Sequence, residues 1–213
     1  MQSKQLGACY FISDDFYKQF NKGSSLMPNN IDGSHKRGRP CMLIFRDGDD
    51  PRIGWFVPLS SQIEKYKAVY QKKFAKRGKC DEIVFGKFLG HEQAFLVQNI
   101  FPATVGYITG EYKTKGGILA RISGNIQAEI EKKSRRSLAK VKRGIPAVWS
   151  RPYEIYEELE RQMSVGNVTS ETNASEGSTI SAAARAMVAG AAPERPIGVG
   201  GTQNTKKNVN IND

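Results

Sequence analysis

The chain is short of the residues that build metal and disulfide chemistry. Histidine occurs only as His35 and His91, and cysteine only as Cys9, Cys41 and Cys80. Three widely spaced thiols, each within or beside an apolar strand-like stretch, do not form a disulfide framework. They read as reduced structural thiols of a cytosolic protein. Two histidines and scattered cysteines exclude a nitrogen–sulfur metal site, and no carboxylate cluster of the two-metal type is present, so neither metal nor cofactor is expected. The chain also lacks an uninterrupted apolar run of about 18 residues, so no membrane span is expected. Residues 1–8 are polar and carry no apolar leader core, so the expected location is cytoplasmic.

Acids are missing where bases gather. Lys65, Lys67, Lys72, Lys73, Lys76, Arg77 and Lys79 form one acid-free run, and Lys132, Lys133, Arg135, Arg136, Lys140, Lys142 and Arg143 form another. Residues 1–150 hold 26 Lys/Arg against 13 Asp/Glu, a net of +13. Residues 151–213 hold 6 against 8, a net of −2, and the two sum to the overall +11. A solvated helix face interleaves signs, whereas two acid-free blocks point to a polyanion, most commonly nucleic acid. Lys67, Lys132, Lys133 and Arg136 are therefore candidate RNA contacts. From about Ser164 the chain also loses its aromatics and becomes rich in Ser, Thr, Gly, Asn and Ala. Such composition cannot offset the entropy of ordering. The expected organisation is a domain at 1–163 and a low-complexity, disordered tail at 164–213, with at most a transient Ala-rich helix at Ser181 to Ala192.

Within the domain, Ala8 to Ile12 is an apolar strand-like run ending at Ser13-Asp14, a helix cap signal. Phe16, Tyr17 and Phe20 follow at helical spacing, and residues 23–38 read as loop. Cys41 to Phe45 and Ile53 to Val57 read as strands of a hairpin turning at Asp47-Gly48-Asp49-Asp50-Pro51. Asp81 to Phe88 and Ala94 to Gln98 read as a second hairpin. Ile118, Ile122, Ile126 and Ile130 recur every four residues, and with Leu138 and Val141 they predict one amphipathic helix. Another helix is predicted to start at Pro152. His91 reads as an exposed turn residue, and Trp55 and Trp149 as packing residues.

The chemistry is concentrated in Trp55-Phe56-Val57-Pro58-Leu59-Ser60-Ser61, followed by Lys65-Tyr66. An apolar strand delivers two adjacent hydroxyls to its end, and a basic, aromatic-interleaved segment begins at once. Hydroxyls and amines together can bind a phosphate and help a ribose 2′-OH attack it without metal. A helical turn after the strand would bring Ser61 and Lys65 to one face. Arg39, at the mouth of a strand, could fork onto a phosphate. Tyr17 and Tyr66 could stack on bases, or be half-buried core aromatics. The bland alternatives are a strand ending in a serine-rich turn, one solvated lysine among many, and a surface arginine.

The order of these features resembles the ToxN/AbiQ family, the endoribonuclease toxins of bacterial type III toxin–antitoxin systems, and within it the branch called CptN. The resemblance rests on Cys9 to Phe20, then Met27-Pro28-Asn29, Arg39-Pro40, and Trp55 to Ser61 with Lys65-Tyr66. It continues through Cys80 to Gly86 and Ala94 to Pro102, covering about residues 8–162. It implies an α+β fold, a compact twisted antiparallel sheet with a Kid/MazF-like barrel core and flanking helices. It also implies metal-independent cleavage of RNA to 2′,3′-cyclic phosphate and 5′-OH ends. A small RNA pseudoknot antitoxin would bind and inhibit the protein in a protein–RNA hetero-oligomer serving phage defence by abortive infection. By resemblance Ser61 is the essential serine and Ser60 the hydroxyl before it. Many members carry a lysine two residues after that serine; Ile63 stands there, and Lys65 matches a second family lysine. The family's N-terminal helix tyrosine falls at Phe16, beside Tyr17. Two other readings compete: a non-catalytic RNA-binding or ribosome-associated protein, and a toxin-fold remnant with a structural or phage-related role.

Overall fold

The computed structural model describes residues 4–21, 25–32 and 35–165, with side chains left out of account at 30–37. The tail expected at 164–213 lies, from residue 166 onward, outside the described residues.

Strand β1 (Cys9–Ile12) leads into helix α1 (Asp14–Phe20), and Ser13 caps that helix by accepting from the Phe16 N–H at 3.3 Å. A small hairpin, β2 (Asn30–Asp32) with β3 (His35–Arg37), occupies part of the segment read as loop. Next come β4 (Pro40–Arg46), β5 (Ile53–Ser60) and α2 (Ile63–Arg77). The chain continues through β6 (Val84–Phe88), β7 (His91–Phe95), β8 (Phe101–Thr104) and β9 (Ile108–Glu111). It closes with α3 (Gly124–Lys142) and α4 (152–165), the latter beginning at Pro152 as predicted.

The main sheet has seven antiparallel strands in the order β6-β7-β5-β4-β1-β9, with β8 attached to β5. The expected closed barrel does not form: β6 and β9 are the two ends of the hydrogen-bonded path. A separate break falls inside the sheet, at Pro58. This proline has no N–H to offer a ladder, and the neighbours of β5 on that side divide around it. β8 pairs with Ile53 to Phe56, and β7 pairs with Leu59 and Ser60. The two ends nonetheless approach through side chains. Phe88 of β6 and Tyr112, just beyond β9, lie 5.5 Å apart between ring centroids.

The strand period of two divides the side chains between the faces. Cys9, Met42, Ile44, Val57, Leu59, Val84, Phe88 and Phe95 share one cluster with Ile130 and Leu138 of α3. Tyr10, Cys41, Leu43 and Phe56 share the other with α1 and with Ile155 and Leu159 of α4. α3 comes close enough to Gly86 that a Cβ there would lie 2.5 Å from the Ile126 side chain. The helix predicted from Ile118 starts instead at Gly124. Ile118 is 71% exposed, and the chain before the helix is tied down by isolated bridges Lys113–Leu119 and Ala8–Arg121. The β6–β7 turn is tighter than expected, with Leu89 and Gly90 both at positive φ, as a two-residue turn of the primed type requires. Consequently Leu96 to Gln98, read as strand, lies in a buried 3-10 turn and its lead-in. Cys9, Cys41 and Cys80 are free and buried, as read from sequence. Burial pushes the Cys41 thiol up to about 12. No helix among the described residues is long and apolar enough to cross a membrane.

Candidate active site

The α3-covered face of the sheet is left open at one end, and there the chain forms a cleft of about 1120 Å³. Register explains its composition. Phe11 pairs with Pro40 across β1 and β4, and Leu59 pairs with Phe95 across β5 and β7. Residues two apart on a strand share a face, so Phe11, Pro40, Leu59 and Gln93 project the same way. Arg39, Ser60, Ser61, Lys65 and Tyr66 also line this cleft. Five residues proposed from sequence are thus assembled in one place.

The two adjacent serines do different jobs. Ser60 is 6% exposed and its Oγ accepts the Gln62 N–H at 3.2 Å, which shapes the turn into α2. Ser61 is exposed, and among the described residues its hydroxyl has no protein partner. β5 ends at Ser60 and Ser61 lies in the bend before α2, so one hydroxyl supports the turn while the other is open to the cleft. Lys65 is exposed two positions into α2, its Nζ 5.7 Å from the centre of the Tyr66 ring. No ion pair with an acid is formed by Lys65 among the described residues.

Arg39 is anchored. Its Nε donates to the Pro28 carbonyl at 3.0 Å and its Nη1 to the Leu59 carbonyl at 3.1 Å, one residue before Ser60. Asn29 sets the backbone: its Oδ1 accepts the Arg39 N–H at 2.9 Å, while its Nδ2 donates to Ile12 O and Asp14 Oδ1, each at 3.0 Å. The Met27-Pro28-Asn29 element therefore serves to hold Arg39. Tyr66 is 6% exposed. Burial pushes its phenol up, while the Arg39 charge and the Ser60 hydroxyl beside it pull the other way. Its ring is packing for the site rather than an open stacking platform.

One contributor went unread in the sequence. α2 begins at Ile63, and Gln62 at its cap makes no side-chain capping bond. The Gln62 and Ile63 N–H groups are taken by Ser60 Oγ and Ser61 O, so the helix start offers its positive partial charge and the N–H groups of Glu64 and Lys65, which favour an anion. The neighbourhood of Ser61 thus combines a hydroxyl, an ammonium, an anchored guanidinium and a helix start. Glu64 stands beside Lys65 in the chain, and its carboxylate is met by Lys67 at 3.5 Å.

The remaining sequence candidates lie elsewhere. Tyr17 is 5% exposed in the α1 core, its hydroxyl 3.8 Å from Cys41 Sγ, and it does not line the cleft. Lys67 pairs with Glu92 at 3.2 Å as well as Glu64. Lys133 pairs with Glu129 at 2.9 Å, and Arg136 with Asp81 at 2.9 Å, so the acid-free block in sequence is not acid-free in space. Lys132 is exposed on α3 away from the cleft. His91 is exposed at the start of β7. Among the described residues no group of three or more His, Cys, Asp or Glu is placed to hold a metal ion.

No protein-family model and no curated protein sequence matches this chain. Solved structures do. One, described as showing that a processed non-coding RNA regulates a bacterial antiviral system, aligns with a TM-score of 0.51 at 11% identity. That alignment covers 70% of this chain and 95% of the other. The two proteins share a fold. At this identity the likeness extends to the fold alone. Another alignment, with AbiQ, a lactococcal anti-phage endoribonuclease belonging to the type III toxin–antitoxin system, has a TM-score of 0.47 at 16% identity. It covers 64% of this chain and 82% of that one.

Proposed function

We propose that this protein is a metal-independent endoribonuclease, the toxin of a type III toxin–antitoxin system, restrained by a small RNA pseudoknot. The observation that carries the reading is the meeting of Ser61, Lys65 and Arg39 around the uncapped start of α2. In the proposed reaction the ribose 2′-oxygen attacks the adjacent phosphorus and the bond to the 5′-oxygen breaks. The products are a 2′,3′-cyclic phosphate and a 5′-OH. Arg39 and the α2 N–H groups bind the non-bridging oxygens, where negative charge grows in the transition state. Ser61 hydrogen-bonds at the reacting phosphate and 2′-OH, the 2′-OH proton passes to water in the open cleft as the oxygen attacks, and the Lys65 ammonium supplies the proton to the leaving oxygen. Ser60 and Tyr66 hold the turn that presents these groups. Exposed Lys132 adds to the field that draws RNA in, while Lys67, Lys133 and Arg136 are held by acids and add little. The antitoxin RNA occupies the same cleft in a protein–RNA assembly. Residues 1–163 carry both activities in the cytoplasm, independently of 164–213.

The test is incubation of purified protein with RNA in excess EDTA, with mapping of the product ends. Cyclic phosphate and 5′-OH ends without added metal are expected from the parent, and a loss of about 10²- to 10⁴-fold in Ser61→Ala. A requirement for Mg²⁺ or Mn²⁺ would sink the metal-free chemistry. Parental rates in Ser61→Ala would remove the site assignment. RNA binding without cleavage would favour the non-catalytic RNA-binding reading.

A further inference from the structure

The cleft has a second half that the proposed chemistry does not use. Opposite the polar groups, Phe11, Tyr112 and Phe88 form a connected aromatic wall. Phe11 and Tyr112 have centroids 5.6 Å apart, and Tyr112 and Phe88 5.5 Å apart. All three line the cleft, and Phe11 and Tyr112 remain partly exposed to it. This wall bridges the gap between the two unpaired ends of the sheet. Gln93 stands between the wall and the reactive end. The β5–β7 pairing ends at Ser60 opposite Ala94, the residues next to Ser61 and Gln93, and both of these line the cleft. The Gln93 amide lines the cleft and, among the described residues, bonds to no other group. The cleft exceeds the roughly 300–1,000 Å³ of an ordinary small-molecule pocket, leaving room for more than a phosphate and its ribose.

From this we infer that the Phe11–Tyr112–Phe88 wall with Gln93 is a base-recognition subsite. It takes one unstacked nucleobase next to the reacting phosphate. The inference rests on the endoribonuclease reading and names what the enzyme selects. An aromatic face binds any base by stacking and is tolerant of sequence. An amide presents an acceptor oxygen beside a donor NH₂ and so discriminates among base edges, which present different donor–acceptor pairs. The wall therefore supplies affinity and Gln93 supplies preference. Sequence reasoning assigned stacking to Tyr17 and Tyr66, both of which are buried. The stacking faces come instead from residues far apart in the chain that meet only in the folded sheet.

Two measurements test this, one with and one without cleavage. In the first, a randomised RNA pool is cut and the bases flanking each cleavage point are counted. The parent is expected to show a bias at one position adjacent to the cut, and Gln93→Leu to flatten that bias while other positions keep theirs. Unaltered base frequencies in Gln93→Leu overturn the role of Gln93. In the second, non-cleavable 2′-O-methyl RNA oligonucleotides are titrated against parent, Tyr112→Ala and Tyr112→Phe, each checked for its melting temperature. Tyr112→Ala is expected to weaken binding about 5- to 100-fold, with Tyr112→Phe near the parent because the ring is retained. Equal affinity for all three overturns the wall. A parent that binds with Tyr112-dependent affinity but cuts nothing removes the enzyme reading and leaves the subsite. A parent that binds no RNA removes both.

Discussion

Helices α2 and α3 carry the two basic runs, and in sequence they look alike. In space they are employed differently. Asp81 and Glu82 are consecutive and buried, and they turn to different helices. Asp81 accepts Arg136 and Lys140 of α3, each at 2.9 Å, and Glu82 accepts Arg77 at 2.7 Å and Lys73 at 3.3 Å of α2. α3 uses most of its remaining charge on itself and its neighbours. Lys133 meets Glu129, Arg135 meets Glu131 and covers the Phe45 ring, and Lys142 covers the Tyr153 ring. α2 keeps more in reserve: Lys72, Lys76 and Lys79 are exposed, and Lys65 faces the cleft. A run of like charges thus reports little about its partners until the acids that face it are located.

The sharpest way to break this comparison is to remove one lysine from each helix. Lys65→Ala is expected to cost at least 10²-fold in RNA cleavage, as loss of a positioned proton donor does. Lys132→Ala, an exposed α3 residue remote from the cleft, should change the rate by less than about 2-fold, since it affects approach alone. Single-turnover cleavage of a labelled RNA measures both. Equal losses would mean that Lys65 acts only through bulk charge.

The acids give the next largest effect. Asp81→Ala leaves Arg136 and Lys140 facing a buried gap. Breaking a fully buried pair costs about 3–5 kcal/mol, but these cations are partly exposed, so about 2 kcal/mol is expected. For a domain of this size that lowers the melting temperature by about 4–8 °C. Glu82→Gln should destabilise less, because Arg77 is more than half exposed. It should also slow cleavage, because α2 presents Lys65. Thermal melting and cleavage assays on the two variants separate the helix that supports the fold from the one that also serves the site. An Asp81 variant with parental melting would overturn the clamp.

Protonation gives a gentler version of the same test. Burial pushes both carboxyls up, yet Lys140 and Arg136 outweigh it at Asp81, and Lys73 with neighbouring hydrogen bonds outweighs it at Glu82. Both folded values are therefore depressed below the unfolded ones of about 3.9 and 4.3. The stabilisation is fully present above the unfolded values and is lost as pH falls through the folded ones. The parent's melting temperature should hold from about pH 7 to 5 and fall below about pH 4. Asp81→Asn should start lower and fall less. Parallel curves would show that Asp81 is not among the groups responsible.

What the sequence made legible was local. The Ser13 cap of α1, the Asp47–Pro51 turn and the proline that opens α4 act over a few residues, and all appear where expected. That Ser61 and Lys65 would share one face was legible for the same reason, because one strand end and one helical turn suffice to join them. β8 and β9 were missed, since their partners β5 and β1 lie about 50 and 100 residues away. α2 buries only Tyr66 fully, so it shows little apolar periodicity. Ile118 and Ile122 showed periodicity that belonged to no helix. The barrel implied by resemblance gave way to a sheet that stays open between β6 and β9, edges far apart in sequence, while Pro58, which the sequence displayed plainly, marks the divide between β7 and β8. The absence of the proline's N–H divides the neighbouring strands. Phe11, Gln93 and Tyr112 could not be joined by spacing, because the register between β1, β5 and β7 is a tertiary property.

The smallest predicted effect concerns salt, and it bears most directly on the two basic runs. Each phosphate contact to single-stranded RNA adds about 0.7 to the slope of log affinity against log salt. Counting both runs as free contacts would predict a very steep slope. The ion pairs reduce it, because a lysine already held by a carboxylate must exchange one anion for another and gains little by doing so. Lys72→Ala, Lys76→Ala and Lys79→Ala should each lower the slope by up to about 0.7 wherever the RNA covers α2. Arg136→Ala and Lys140→Ala should leave the slope nearly unchanged while lowering stability. Titrations of a non-cleavable RNA at several salt concentrations, on variants checked for folding, give the slopes directly. If the α3 variants flatten the slope as much as the α2 variants, the RNA competes successfully for Asp81's partners. The two helices would then form one electrostatic surface, and the division of labour drawn from their acids would fail.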